Sequence, residues 1–240
     1  MVKSPQGAAW RGREQVYMLK VVVFDSGYGG EFFADKLREE LPILEIIRVI
    51  DWRHADEYQK SVRASRRAAE TALAEHLDRV DLIIFANHFL SIGSLSYFKR
   101  KYPMQKFLGL DLTYPDTFVP RDVLILATSA ITRTPRYHLF RLRLRFKRKF
   151  RDLALDNWPI MIDDGNLTTD EVQDTLATFL FKKNFRPKEV VLACSQFYDI
   201  KSSLRGLLGH NLKIYDSFND AIRRTTKILG IRGGTGRKQK

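Results

Sequence analysis

The chain has very little cysteine: Cys194 stands alone in 240 residues. That excludes an internal disulfide, and no Cys/His cluster has the spacing of a zinc site. A lone thiol suits a reducing compartment, so a cytoplasmic protein is expected. Long apolar runs are missing as well, since none approaches the roughly 20 residues of a membrane-spanning helix. Residues 1–17 hold Arg11, Arg13 and Glu14 but no apolar core of signal-peptide length, and they read as an N-terminal extension. Glycines at dinucleotide spacing and a phosphate loop ending in Gly-Lys-Ser are both lacking. Neither a metal nor a cofactor is expected.

Positive charge, by contrast, is abundant. The formal net charge is +13, and much of it is local. Arg141, Arg143, Arg145, Lys147, Arg148, Lys149 and Arg151 put seven basic residues in eleven. Arg232, Arg237, Lys238 and Lys240 lie among glycines in a basic tail, 231–240, that reads as disordered. Such clusters attract nucleic acid nonspecifically through counterion release. A solvated helix face explains them equally, because no recognition motif accompanies the charge.

Apolar β-type runs alternate with helically spaced segments. Strands are expected at 20–24, 46–50, 81–85, 107–110, 123–127, 159–162, 190–193 and 212–215. Helices are expected at 31–40, 58–77, 94–101, 168–183, 200–208 and 218–229. This alternation predicts parallel α/β sheets covered on both faces, with a crossover between two lobes at 114–121. The first lobe would take 18–113 plus 217–230, and the second 114–216.

Phe24-Asp25-Ser26-Gly27-Tyr28-Gly29-Gly30 follows the first strand and opens a helix. Its glycines let backbone N–H groups approach an anion at a helix N-terminus, and Asp25 and Ser26 offer a base and a donor. A purely structural strand-to-helix turn accounts for the glycines too, though not easily for an aspartate at a strand end. Cys194 ends an apolar run where open α/β sheets hold their ligands.

These landmarks together resemble the aspartate/glutamate racemase superfamily, glutamate racemases above all. Val21-Val22-Val23-Phe24-Asp25-Ser26-Gly27-Tyr28-Gly29-Gly30 is similar to the family's N-terminal signature. Asp51 stands where its second stretch begins. Ile84-Phe85-Ala86-Asn87 resembles the first cysteine motif, and Leu192-Ala193-Cys194-Ser195 the second. Leu126-Ala127-Thr128, Ile162-Asp163-Asp164-Gly165 and Tyr215-Asp216-Ser217 match intervening landmarks in order. The resemblance implies two α/β lobes of parallel sheet with the site in the cleft between them. It also implies cofactor-independent chemistry, in which one thiolate removes an α-proton and a second thiol reprotonates the opposite face. Asp25 would assist the first base, Ser26, Asn87 and Ser195 would hold the substrate, and Cys194 would be the second thiol. In a bacterium the product would be D-glutamate for peptidoglycan.

Departures from the pattern gather at the chemistry. Ala86 replaces the first cysteine and cannot carry a proton, His88 replaces the adjacent threonine, and Gln196 replaces the histidine beside the second cysteine. Asp56-Glu57-Tyr58 replaces a Pro-Tyr-Gly substrate turn and brings two carboxylates towards an acidic substrate. Ile131 stands where a threonine hydroxyl is usual. Three readings stay open. A divergent racemase would use Cys194 with His88, or with Asp25 through water, as the other base. A one-thiol enzyme would protonate one face only, as in decarboxylation or one-sided isomerisation. A non-catalytic protein would bind through its basic surface.

Overall fold

In the computed structural model, residues 18–112, 122–145 and 149–231 are described. The crossover at 114–121, the extension 1–17, the tail from 232, and Lys147 and Arg148 lie outside them. The first part of the chain runs β1 (Leu19–Asp25), α1 (Tyr28–Glu40), β2 (Leu44–Ile50), α2 (Glu57–Lys60), α3 (Val62–Leu73), β3 (Leu82–Phe85), α4 (His88–Lys101) and β4 (Phe107–Gly109). The second runs β5 (Val123–Ala127), α5 (Ser129–Thr132), α6 (Pro135–Arg145), β6 (Phe150–Ala154), α7 (Trp158–Asp163), α8 (Thr169–Lys182), β7 (Glu189–Leu192), α9 (Lys201–Leu208), β8 (Lys213–Tyr215) and α10 (Phe218–Leu229).

Two four-stranded sheets result, ordered β2-β1-β3-β4 and β6-β5-β7-β8. Every pairing is parallel, so the two sheets repeat one topology. The central strands are apolar on both faces because helices cover both. All four residues of β3 and of β7 are buried, as are all five of β5. In the first lobe, one face packs Val21, Val23 and Ile84 against Phe33 and Leu37 of α1 and against Phe218 and Ile222 of α10. The last helix therefore covers the first sheet. The opposite face packs Phe24 and Phe85 against Tyr58, Leu73 and Phe98.

Two expectations fail in the second lobe. Residues 159–162 are not a strand but the middle of α7, with Pro159 near its start, where a missing N–H is harmless. The fourth strand is instead β6, at the end of the basic segment, where Phe150–Ala154 pairs with all of β5. Arg151 and Asp152, side by side within this edge strand, leave no strong apolar run to read. The helix α4 also begins six residues before the expected 94, capped by Asn87.

Candidate active site

Both sheets turn the C-terminal ends of their strands towards one locus. Asp25, the last residue of β1, is fully buried. Its Oδ1 accepts the Ser26 N–H at 2.7 Å and the Asn87 amide at 3.2 Å. Its Oδ2 accepts the Ser195 hydroxyl at 3.0 Å, and Ser195 belongs to the other lobe. Burial pushes the Asp25 carboxyl up to about 7; the N–H of Ser26 and the Ser195 and Asn87 side chains oppose that, while Asp163 adds to it. A buried acid that titrates near neutrality is equipped for proton transfer at cellular pH.

Asn87 is held from two sides. Its Oδ1 accepts the Leu90 N–H at 2.9 Å as the N-cap of α4, which turns its amide nitrogen towards Asp25 and to Ser26 Oγ at 3.0 Å. The cap thus fixes which end of the amide faces the site.

Cys194 stands just past β7 and is half-buried. Its thiol donates to Gln196 Oε1 at 3.0 Å. Burial pushes the thiol up to about 12, and the negative charges of Asp25 and Asp163 push the same way, against the backbone N–H groups of Gln196 and Phe197. At neutral pH it is a protonated thiol. A histidine beside it could take its proton, whereas the amide of Gln196 only accepts a hydrogen bond from it.

The glycines after Asp25 answer to the other lobe. A Cβ on Gly27 would lie 2.4 Å from Asp163 Oδ2 and 2.6 Å from Gln196 Nε2. On Gly29 it would lie 2.3 Å from Ser195 Oγ and 2.8 Å from the Gln196 backbone nitrogen. The anion at the N-terminus of α1 is the protein's own, since the Tyr28 N–H donates to Asp163 Oδ1 at 2.9 Å. Asp163 also accepts from the Gln196 side chain, and burial raises its pKa. Asp163 and Gln196 are the connectors that sequence reasoning placed in motifs without a role. Their signal was the pair of tight glycines facing an unidentified partner.

His88 is the first residue of α4 and is buried. Its Nε2 shares a hydrogen bond with Ser217 Oγ at 2.8 Å, at the start of α10. Nδ1 has no hydrogen-bond partner among the described residues. Burial lowers its pKa to about 4 against the pull of Asp216. No hydrogen bond among the described residues joins it to Asp25 or Cys194. Asp51 binds the Tyr58 hydroxyl at 2.6 Å and His54 Nδ1 at 2.9 Å, and its N–H donates to Asp25 O. Of the two new carboxylates, Asp56 is exposed and Glu57 pairs with Lys60 at 3.5 Å.

No family model matches the chain. Curated glutamate racemases do. The Vibrio cholerae serotype O1 protein is 24% identical over 225 residues, 92% of this chain and 84% of the relative. That of Pectobacterium carotovorum is 26% identical over 219 residues, covering 87% and 76%. Among solved structures, Escherichia coli glutamate racemase in complex with L-glutamate and the activator UDP-MurNAc-Ala superimposes with a TM-score of 0.76 at 23% identity, covering 91% and 85%. The chain is thus glutamate racemase-like, resembling curated glutamate racemases over most of its length at low identity and sharing their fold. Aspartate racemase from Picrophilus torridus, also of known structure, gives a TM-score of 0.60 at 16% identity, covering 90% and 96%. Both share the fold of two parallel-sheet α/β lobes.

The basic segment read from the sequence is only partly described, and part of it is engaged within the fold. Arg141 pairs with Asp152 at 3.1 Å and stacks over Phe150, so part of its charge is neutralised within the fold. Arg136 pairs with Asp111 at 3.1 Å. Arg143 and Lys149 are exposed. Among the described residues no helix is long and apolar enough to cross a membrane, and no metal-holding cluster is found.

Proposed function

We propose that the protein transfers a proton at the α-carbon of a small carboxylic acid, without a cofactor, and that an acidic amino acid such as glutamate is its substrate class. The observation that carries this is the Ser195–Asp25 bond, which joins the buried acid of one lobe to the residue beside the thiol of the other. The names of the relatives and the L-glutamate in the E. coli neighbour support the choice of substrate.

The two lobes divide the work. Asp25, ionised above about pH 7, takes the α-proton through a water molecule. The Cys194 thiol delivers its own proton to the opposite face. The protonated Asp25 and the resulting thiolate then exchange the balance through solvent. Asn87, Ser26 and the N–H groups of Gln196 and Phe197 supply the donors that stabilise an enediolate-like transition state. Supply of D-glutamate for peptidoglycan in the cytoplasm is the corresponding role.

One observation favours a second reading within the same chemistry. Ala86 is fully buried in the first core, and no other thiol exists in the chain. One-sided protonation, as in decarboxylation of a malonate-type acid, needs only Cys194. Proton exchange in deuterated water, followed by NMR over acidic amino acids and small diacids, tests both. Deuterium at Cα with loss of optical activity supports racemisation, and turnover of a diacid without racemisation supports the second reading. No exchange and no turnover with either class would sink both.

A further inference from the structure

The Ser195 hydroxyl lies between two acceptors, Asp25 Oδ2 at 3.0 Å and Gln196 Oε1 at 3.2 Å, and has a single proton to give. Gln196 Oε1 also receives the Cys194 thiol at 3.0 Å. The Gln196 amide cannot turn over without losing its donation to Asp163, so the oxygen stays on the sulfur side. These constraints leave two hydrogen arrangements. With Asp25 ionised, Ser195 donates to Oδ2 and the thiol has Gln196 Oε1 to itself. When Asp25 is protonated, Oδ1 is already committed to the Ser26 N–H and the Asn87 amide, so the proton sits on Oδ2. Oδ2 then donates to Ser195 Oγ, and Ser195 must send its own proton to Gln196 Oε1, in competition with the thiol.

We infer that Ser195 is a positioning residue that reports the charge of Asp25 to the Cys194 thiol through a shared acceptor, Gln196 Oε1. It holds the thiol protonated while Asp25 is ready to act as a base, and loosens it once Asp25 has taken a proton. This rests on the proton-transfer reading and specifies how its two groups stay in step. Other groups facing the pair are accounted for. Asp163, from the end of α7, acts on both by its charge, and Asp164 acts on Asp163. The Tyr58 phenol of α2 is turned to Asp51, with its pKa raised by burial. His88 is engaged by Ser217, and burial keeps it neutral down to about pH 4.

Because Cys194 is the chain's one thiol, its reactivity can be read on the full-length protein without substrate. The rate of alkylation by iodoacetamide is followed from pH 5.5 to 9. In the wild type the logarithm of the rate breaks near pH 7 and falls below its extrapolated line by about fivefold, the worth of one hydrogen bond. Asp25→Asn abolishes the break, Ser195→Thr keeps it, and Ser195→Ala reduces it to about twofold or less, what remains being the through-space charge. Should the alanine variant misfold, Ser195→Val against Ser195→Thr makes the same comparison. A break of undiminished size without the hydroxyl, or no break in the wild type, overturns the inference. Since no substrate is used, absence of α-proton exchange would leave this result standing, and the reverse also holds.

Discussion

At the end of β3 the chain reads Ala86-Asn87-His88, and at the end of β7 it reads Ala193-Cys194-Ser195. The two places are the same point in two copies of one topology. Ala86 N–H donates to Phe24 O at 2.8 Å, and Ala193 N–H donates to Leu126 O at 2.8 Å, so Asn87 and Cys194 are each the first residue past the last ladder bond. Backbone register therefore matches the thiol with Asn87, while the motif alignment matches it with Ala86, one residue earlier. The segments beyond the two strand ends differ as well. After β3 a 14-residue helix begins at once and takes Asn87 as its cap. After β7 only a three-residue turn, Gln196–Tyr198, precedes the next helix. One strand end is tied to building its lobe, and the other is left to carry chemistry.

The comparison breaks most visibly at Cys194. Cys194→Ala is expected to lower α-proton exchange about a thousandfold, the scale of a lost acid/base group, with an unchanged circular dichroism spectrum. Exchange that survives would place the chemistry wholly on the first lobe.

The next two effects are on stability and have opposite signs. Asp25 has a folded pKa above its ordinary value, so its contribution is full below about pH 4 and is lost as pH rises through about 7. Asp25→Asn mimics the protonated acid. It should match the wild type at pH 4 and exceed it at pH 8 by up to about 4 kcal/mol in urea unfolding, while losing exchange activity. His88 has a folded pKa below its ordinary value, so its contribution is present above about 6.5 and is lost as pH falls through about 4. The two slopes oppose each other between pH 4 and 6.5, and the wild type should look nearly flat there. D25N should unmask an acid-side loss of about 3 kcal/mol, and His88→Gln should unmask a decline towards neutrality. A flat profile in both variants would mean that neither group is perturbed by its burial.

Much of this was legible in the sequence, and the exceptions have physical causes. Apolar runs such as Val21-Val22-Val23 and Val190-Val191-Leu192 mark central strands because both faces are buried. Edge strand β6 escaped because the adjacent charges of Arg151 and Asp152 interrupt it, and 159–162 misled because a short apolar run has no period of its own. Asp25, Ser26 and Asn87 were readable at strand ends, where position alone selects them. Asp163 meeting Gly27 across the lobes was not, since nothing in a linear sequence shows which glycine faces which carboxylate.

The smallest effect sharpens the comparison from the first lobe. Ala86 packs within the first core, among neighbours that include Val23, Ile84 and Leu110, with no exposed surface. Ala86→Cys returns a sulfur to the motif position, and fitting it there is expected to cost about 1 kcal/mol of stability. If the loss of that thiol is what makes the chemistry one-sided, racemisation of an exchanging amino acid should rise about tenfold, read as loss of optical activity against deuterium uptake. If uptake and optical activity keep their wild-type ratio, the backbone register is the better guide. The true counterpart of Cys194 is then Asn87, whose amide is already committed to Asp25 and to the cap of α4.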